Sequence, residues 1–239
     1  MLILIADSHL SENTPNLAEF TKFLEWISSS AHDVCFLGDI MELWIALPKF
    51  ENAMHREFLD WCRGEIHRRK IYLAEGNHEF FVTDRYADCF SGSSQDCLHI
   101  GSDLFCHGDL IQRHQLDHLF FRRMSKSRLS FMLLRFLPGA RKIVDLILWI
   151  MQKKSRHYST FLPLPEIHRW CDKKKRLGVQ NIFLGHFHQA HQEELAEGIR
   201  LFCLPAWKVT QEVAVFDPAT RQCSFLHWQE LAQKKDTLS

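Results

Sequence analysis

Aspartate, asparagine and histidine, side chains that hold divalent cations, recur in this chain directly after short apolar runs. Asp7-Ser8-His9 follows residues 2–6, Gly38-Asp39 follows 34–37, Gly76-Asn77-His78-Glu79 follows 71–74, His107-Gly108-Asp109 follows 104–106, and Gly185-His186-Phe187-His188 follows 181–184. Taken singly each is an ordinary polar turn, and Gly-Asn is first of all a turn signal. Taken in order, the five turns bring Asp7, His9, Asp39, Asn77, His107, His186 and His188 to one rim, because ligands in open α/β sheets bind beyond the carboxyl ends of buried strands. Asp39, after a glycine in a sharp turn, is the natural bridge between two ions. Asp7, His9 and His188 complete one site, and Asn77, His107 and His186 the other. No thiolate lies in these turns, so the donors suit Mn²⁺, with Fe²⁺ and Zn²⁺ as alternatives, better than Ca²⁺ or a structural zinc. Two such cations, about 3.5–4 Å apart, activate water and clamp a phosphoryl group for in-line displacement. The reaction this set serves is hydrolysis of a phosphoester or phosphoanhydride, with the histidine at position 78 bringing proton chemistry next to the ligand Asn77.

The elements that must position these residues are legible around them. Apolar runs of this length, bounded by turns, mark strands buried on both faces. Residues 16–30 place Leu17, Phe20, Phe23, Leu24 and Ile27 at helical spacing, with Asn13 or Thr14 as cap and Pro15 at the opening. Residues 51–69 repeat the pattern with Met54, Phe58, Leu59, Trp61, Cys62 and Ile66, and 166–176 form a third amphipathic stretch. Strand and helix in alternation predict a layered α/β domain. Late in the chain, residues 199–204, 213–216 and 223–228 predict consecutive antiparallel strands closing a second sheet.

Between residues 114 and 158 the strand signal vanishes. Two apolar, basic blocks, 116–137 and 140–152, are separated by Pro138-Gly139, a helix-to-helix break. From Arg113 to Arg156 eleven arginines and lysines face only Asp117 and Asp145, a local charge of +9 within a chain whose 29 basic and 29 acidic residues cancel. Residues 131–151 are apolar enough to raise a membrane span, but Arg135, Arg141, Lys142 and Asp145 and the Pro-Gly break argue against one. The segment is expected to be a helical lid, residues 113–158, inserted in a core of residues 1–112 and 159–239, or an anchor on an anionic surface. Two core helices with a solvated basic face are the competing reading. Lys153, Lys154, Arg156 and His157 stand at its end as candidates for contact with a substrate phosphate, and a solvated helix end is the alternative.

Composition is that of an ordinary globular chain, with no repeat, no low-complexity stretch and no overall basic bias toward nucleic acid. Eight cysteines without a Cys-x-x-Cys pair read as small buried hydrophobes in a reducing compartment. A first strand beginning at residue 2 leaves no room for a signal peptide, so the cytoplasm is the expected address.

The ordered motifs resemble those of the calcineurin-type metallophosphoesterase superfamily: Asp-x-His, Gly-Asp, Gly-Asn-His-Asp/Glu, His-Gly and Gly-His-x-His. The resemblance covers nearly the whole chain apart from the helical insertion. It implies a four-layer α/β/β/α sandwich with the metal site on its rim, and a role for His78 in protonating the leaving oxygen or stabilising phosphoryl charge. Residues 38–45, Gly-Asp-Ile-Met-Glu-Leu-Trp-Ile, are similar to the second motif of the UDP-2,3-diacylglucosamine pyrophosphohydrolases of lipid A biosynthesis. That family also inserts a basic, apolar lid after its His-Gly-Asp motif, and Leu204-Pro205-Ala206-Trp207 resembles its late Ala-Trp element. The likeness implies an acylated sugar-nucleotide substrate, release of UMP, and peripheral attachment to an anionic inner membrane. This chain departs from the pattern at His78-Glu79, where the family has Arg-Asp, at Phe187, where it has Thr, and at Ala46-Leu47-Pro48, where it has Gly-Asp-Asp. Asp109 is a candidate partner for a ligand histidine or a structural residue of its turn, and Glu42 and Trp44 are expected only to pack the site. The rival functions are a soluble phosphodiesterase or phosphatase acting on nucleotides or phosphoproteins, and a binding scaffold without catalysis.

Overall fold

The computed structural model describes residues 1–12, 14–111, 126–154 and 162–236. Thirteen strands are found among them: β1 (Leu2–Ile5), β2 (Asp33–Phe36), β3 (Trp44–Ile45), β4 (Ile71–Ala74), β5 (Glu79–Phe80), β6 (Gly92–Ser94), β7 (Cys97–Ile100), β8 (Asp103–Cys106), β9 (Asn181–Leu184), β10 (His191–Glu194), β11 (Arg200–Cys203), β12 (Glu212–Asp217) and β13 (Gln222–His227). They build a six-stranded sheet in the order β13-β12-β1-β2-β4-β6, a five-stranded sheet in the order β10-β11-β9-β8-β7, and the small parallel pair β3-β5.

Side chains alternate across each strand, and in the strands that lead to the polar turns, β1, β2, β4, β8 and β9, both faces are largely buried. Ile3, Ile5, Val34, Phe36, Ile71 and Leu73 point to one core, where Phe20, Phe23 and Ile27 of helix α1 (Asn16–Ser29) and Met54, Phe58 and Leu59 of α2 (Ala53–Glu65) meet them. Leu2, Leu4, Cys35, Leu37 and Ala74 point the other way, toward Phe105, Phe183 and Phe202 of the second sheet. Leu104, Cys106, Ile182 and Leu184 then face Ile167, Trp170 and Cys171 of a third helix, Leu164–Lys174. Three cores between four layers give the α/β/β/α sandwich. The middle core is the most aromatic: Phe183 stacks between Phe105 and Phe202 with ring centroids 4.9 Å apart on each side. This double burial is why the strands read as unbroken apolar runs.

The last three strands do not close a second sheet together. β11 lies parallel to β9 in the five-stranded sheet, whereas β12 pairs antiparallel with β1 in the six-stranded one and β13 follows it. The short helix Trp207–Thr210 makes the crossing, so three similar apolar runs are shared between two sheets.

Helix starts differ from expectation where side chains find other partners. Thr14 does not cap α1. Its hydroxyl donates to the Ser11 carbonyl at 2.8 Å, and Pro15 occupies the cap position without a side-chain bond. Asn13 lies outside the described residues. α2 begins instead with a reciprocal capping box between Asn52 and His55.

In the basic segment, the described helices are Arg128–Phe136 and Ala140–Lys154. The first is not continuous over 116–137, because the Ser127 hydroxyl accepts from the Ser130 amide and caps it there. Residues 112–125, and with them most of the expected first block, lie outside the described residues. None of the described helices is long and apolar enough to cross a membrane. Cys97 and Cys106, neighbours across the antiparallel β7–β8 pair, are joined as a disulfide, which corrects the reading of all eight cysteines as free. Cys35, Cys62, Cys89, Cys171, Cys203 and Cys223 are free.

Candidate active site

The ends of β1, β2 and β4 from one sheet and of β8 and β9 from the other meet at one edge of the sandwich. The turns are tight. Asp7, His9, Asp39, His186 and His188 all have left-handed backbones, with φ of 55°, 44°, 52°, 68° and 59°. L residues avoid that region, and of the nine non-glycine residues that occupy it among the described residues, five belong to this one rim. Local strain is therefore concentrated where the polar side chains converge. At Gly76 the constraint is contact, since a Cβ there would overlap the Asp39 carboxylate.

Three groups of potential ligand atoms result among the described residues, each with its atoms within 4.8 Å of one another: the pair Asp7/His9/His188 and Asp39/His107/His186, and His9/Glu42/His78 beside them. Asp39 Oδ2 faces both groups of the pair, lying 3.3 Å from His107 Nε2 and 3.8 Å from His9 Nε2. Asn77 Oδ1 is 3.3 Å from His107 Nε2, and His186 Nδ1 lies at the same distance from that atom. His188 Nε2 is 3.1 Å from Asp7 Oδ1. The alternate histidines of the last turn thus converge, but on different groups, because both are left-handed rather than extended.

His78 donates from Nδ1 to the Glu42 carbonyl at 2.6 Å, which leaves Nε2 facing Asp39 Oδ2 at 3.7 Å. Asp109 is buried beside His107 and His186 and raises the proton affinity of both. Lys153 and Lys154 fall in the last turn of their helix, where side chains are outside the described residues, as are Arg156, His157 and Tyr158 altogether.

Electrostatics follow from the crowding. Burial disfavours the imidazolium of His9 and holds it down to about 3, and that of His186 down to about 4, so both rings are neutral. His107 is buried too, but the Asp39 carboxylate, helped by Asp7 and Asp109, outweighs burial and pushes it up to about 10. Asp39 is held well below the usual carboxylate range: burial opposes this, and His107 and His78 win.

The residues fit divalent cations on one observation in particular. Both ring nitrogens of His9 are buried without a hydrogen-bond partner among the described residues, although carboxylate oxygens of Asp7, Asp39 and Glu42 stand 3.8 to 3.9 Å from them. A neutral imidazole with carboxylates just beyond hydrogen-bond reach is a ligand geometry, since an unpaired buried polar atom is otherwise costly.

Sequence reasoning missed the residues that hold the turns together. Glu79 is fully buried and its carboxylate accepts from the amides of Asp39, Ile40 and Gly76 at 2.7 to 2.8 Å, tying the second turn to the third. Burial and Asp39 push it up to about 7 even so. Glu42 does more than pack, because its carbonyl fixes the His78 ring and its carboxylate lies 3.6 Å from Lys208 Nζ. Trp44 anchors the same turn through its amide, which donates to the His78 carbonyl at 2.8 Å. An acid two residues after a ligand, as at position 79, is the one sequence signal that could have pointed to this network.

Comparison with known proteins gives the family. A family model described as calcineurin-like phosphoesterase matches residues 1–190. The chain is similar to the UDP-2,3-diacylglucosamine hydrolase of Azotobacter vinelandii, 30% identical over 211 residues that cover 81% of this chain and 83% of that protein. The protein of the same name from Pasteurella multocida is 24% identical over 226 residues, covering 87% and 91%. Against that of Pseudomonas putida F1 the identity is 29% over 147 residues, so the chain spans 60% of that relative's length. Among solved structures, an archaeal phosphodiesterase covers 94% of this chain and 98% of its own at 11% identity, with a TM-score of 0.47.

Proposed function

From membership of the calcineurin-like phosphoesterase family, to which this chain belongs, we propose that it hydrolyses the phosphoanhydride of an acylated sugar nucleotide. The substrate is UDP-2,3-diacylglucosamine, and the products are UMP and 2,3-diacylglucosamine 1-phosphate. Two divalent cations, Mn²⁺ ahead of Fe²⁺ or Zn²⁺, supply the activated water and neutralise the phosphoryl oxygens when bound. Asp7, His9 and His188 would hold one, His107, His186 and Asn77 the other, and Asp39 would serve both. His78, with its Nδ1–H held by the Glu42 carbonyl, presents Nε2 to the reacting phosphoryl group, and as the imidazolium, which carries a proton on both nitrogens, it would give the Nε2 proton to the leaving oxygen.

The substrate class is carried by one observation. Seven of the ten exposed large apolar side chains among the described residues, Leu129, Met132, Leu133, Phe136, Ile143, Leu146 and Trp149, sit on the two helices of the basic segment. Arg128, Arg135, Arg141 and Lys142 are exposed between them. A phosphatase for nucleotides or phosphoproteins has no use for such a surface, whereas a lid that receives acyl chains at an anionic membrane does. Incubation with UDP-2,3-diacylglucosamine and Mn²⁺ is expected to release UMP, with UDP-N-acetylglucosamine turned over at least about tenfold more slowly. Equal rates on the two would overturn the lipid assignment in favour of a soluble nucleotide phosphodiesterase.

The metal assignment has its own test in protons. A ligand imidazole must be neutral at the coordinating nitrogen. His9 and His186, held down to about 3 and about 4, have no proton to lose at pH 8, but His107, pushed up to about 10, does. Loading the metal-free protein at pH 8 is therefore expected to expel at least about one proton per chain, that of His107, besides any lost by metal-activated water. Calorimetric titration in two buffers of different ionisation enthalpy reads this directly. Metal uptake with no buffer dependence would remove His107 from the ligand set.

A further inference from the structure

One buried charge pair lies outside the ligand groups and joins the basic helical segment to the turn that carries His78. Glu75, the residue before Gly76, is fully buried. Its Oε1 accepts from the Thr83 amide at 2.8 Å and the Thr83 hydroxyl at 3.0 Å, while its Oε2 accepts from Lys126 Nζ at 2.9 Å. The same ammonium donates to the Gly76 carbonyl at 2.9 Å, and its side chain is only 7% exposed. Lys126 precedes Ser127, the cap of the Arg128–Phe136 helix. One turn into that helix, Phe131 meets Phe81 edge to face, with centroids 4.7 Å apart. Phe81 is itself held left-handed, with φ 64°, directly after β5.

We propose that Lys126 is a positioning residue for the reaction: it locks the Gly76–His78 turn onto the helical segment, so that seating of the segment and placement of Asn77 and His78 are one event. This rests on the phosphohydrolase reading for its consequence and on the contacts alone for its existence. A surface lysine would be solvated and free; this one gives up water for a carboxylate and a backbone carbonyl of the catalytic turn. Removing one partner of a buried pair leaves an uncompensated charge, while neutralising both is far better tolerated. The pair is therefore suited to fixing geometry rather than to adding stability. Through it, a substrate that seats the helices also seats the proton donor.

The double variant Lys126→Met with Glu75→Gln removes the lock without stranding a buried charge, and Lys126→Arg keeps a cation there. In the metal-free full chain, the amides of Gly76 and His78, bonded to Glu79 and Asp39 in the parent, are expected to exchange with solvent at least about tenfold faster in the double variant. With Mn²⁺ and diphenyl phosphate, a diester too small to span the lid and with a leaving group basic enough to need a proton, kcat is expected to fall about tenfold with KM and bound metal unchanged. Lys126→Arg should recover both readouts toward the parent. Parental exchange and parental kcat in the double variant would overturn the proposal and leave Lys126 a packing residue. The exchange measurement uses no substrate, so failure of the UMP assay and failure of this proposal are separate results.

Discussion

Replacing Asp39 with alanine is expected to abolish stoichiometric binding of the second cation and to lower hydrolysis by about 10³-fold or more. The size follows from the position of one oxygen. Oδ2 stands 3.3 Å from His107 Nε2, 3.7 Å from His78 Nε2 and 3.8 Å from His9 Nε2, so it faces both candidate ligand groups and the proposed proton donor at once. Oδ1 meanwhile accepts from the His78 amide at 2.9 Å and holds the third turn in place. The change also deletes the charge chiefly responsible for lifting His107 against burial. His107 then falls toward neutrality at pH 8, and the proton that it gives up on metal loading in the parent should no longer be released. Asp39→Asn separates the two roles: the amide can keep an acceptor for the His78 amide, so the fold survives, but it carries no negative charge to bridge two cations. Elemental analysis after gel filtration, with the diester assay at saturating Mn²⁺, measures both effects. An Asp39→Ala protein that retains two equivalents of metal and parental turnover would sink the dinuclear assignment.

The five strand ends were readable because the same physics writes them twice. A strand between two buried layers must be apolar at every position, as Ile3 and Leu4 are toward opposite cores, and a polar turn that stops it abruptly stands out against that run. What could not be read was anything set by backbone conformation or by distant pairing. The division of His186 and His188 between two sites is an expectation from residue types, but the left-handed backbones that turn one toward His107 and the other toward Asp7 leave no mark in the sequence. Residues 199–228 look like three equivalent strands, and only the helix at Trp207 shows that two of them join β1's sheet. Glu75, Glu79 and Lys126 are buried acids and a buried base whose partners lie up to 51 residues away. In the sequence they are indistinguishable from solvated charges. The network that holds the chemistry in place is thus the part least visible before the fold is known.

The largest effect on the acylated substrate is expected from the exposed face of the two basic helices. Met132, Leu133, Phe136 and Trp149 are each more than half exposed, so changing all four to glutamine removes apolar surface without opening a cavity. Buried Val144 and Ala140, which seat the pair, remain. Each apolar side chain inserted into lipid or against an acyl chain contributes about 1.5–3 kcal/mol. Four together should lower affinity for phosphatidylglycerol vesicles by at least about 100-fold and raise KM for UDP-2,3-diacylglucosamine in step, while turnover of the small diester holds. Charge is tested separately with Arg128, Arg135 and Lys142 changed to glutamine, leaving Arg141, whose guanidinium donates to the Lys49 carbonyl at 3.2 Å. Each basic residue near an anionic surface is worth about 1 kcal/mol, screened within a Debye length. That triple variant should lose vesicle binding at low salt and resemble the parent at high salt. Excising residues 113–158 is a poorer test, because Lys126 leaves with them and the catalytic turn loses its lock. Vesicle binding and lipid turnover at parental levels in the glutamine variant would show that the acyl chains and the membrane are met elsewhere. Loss of diester hydrolysis in the same variant would instead assign this face to the fold.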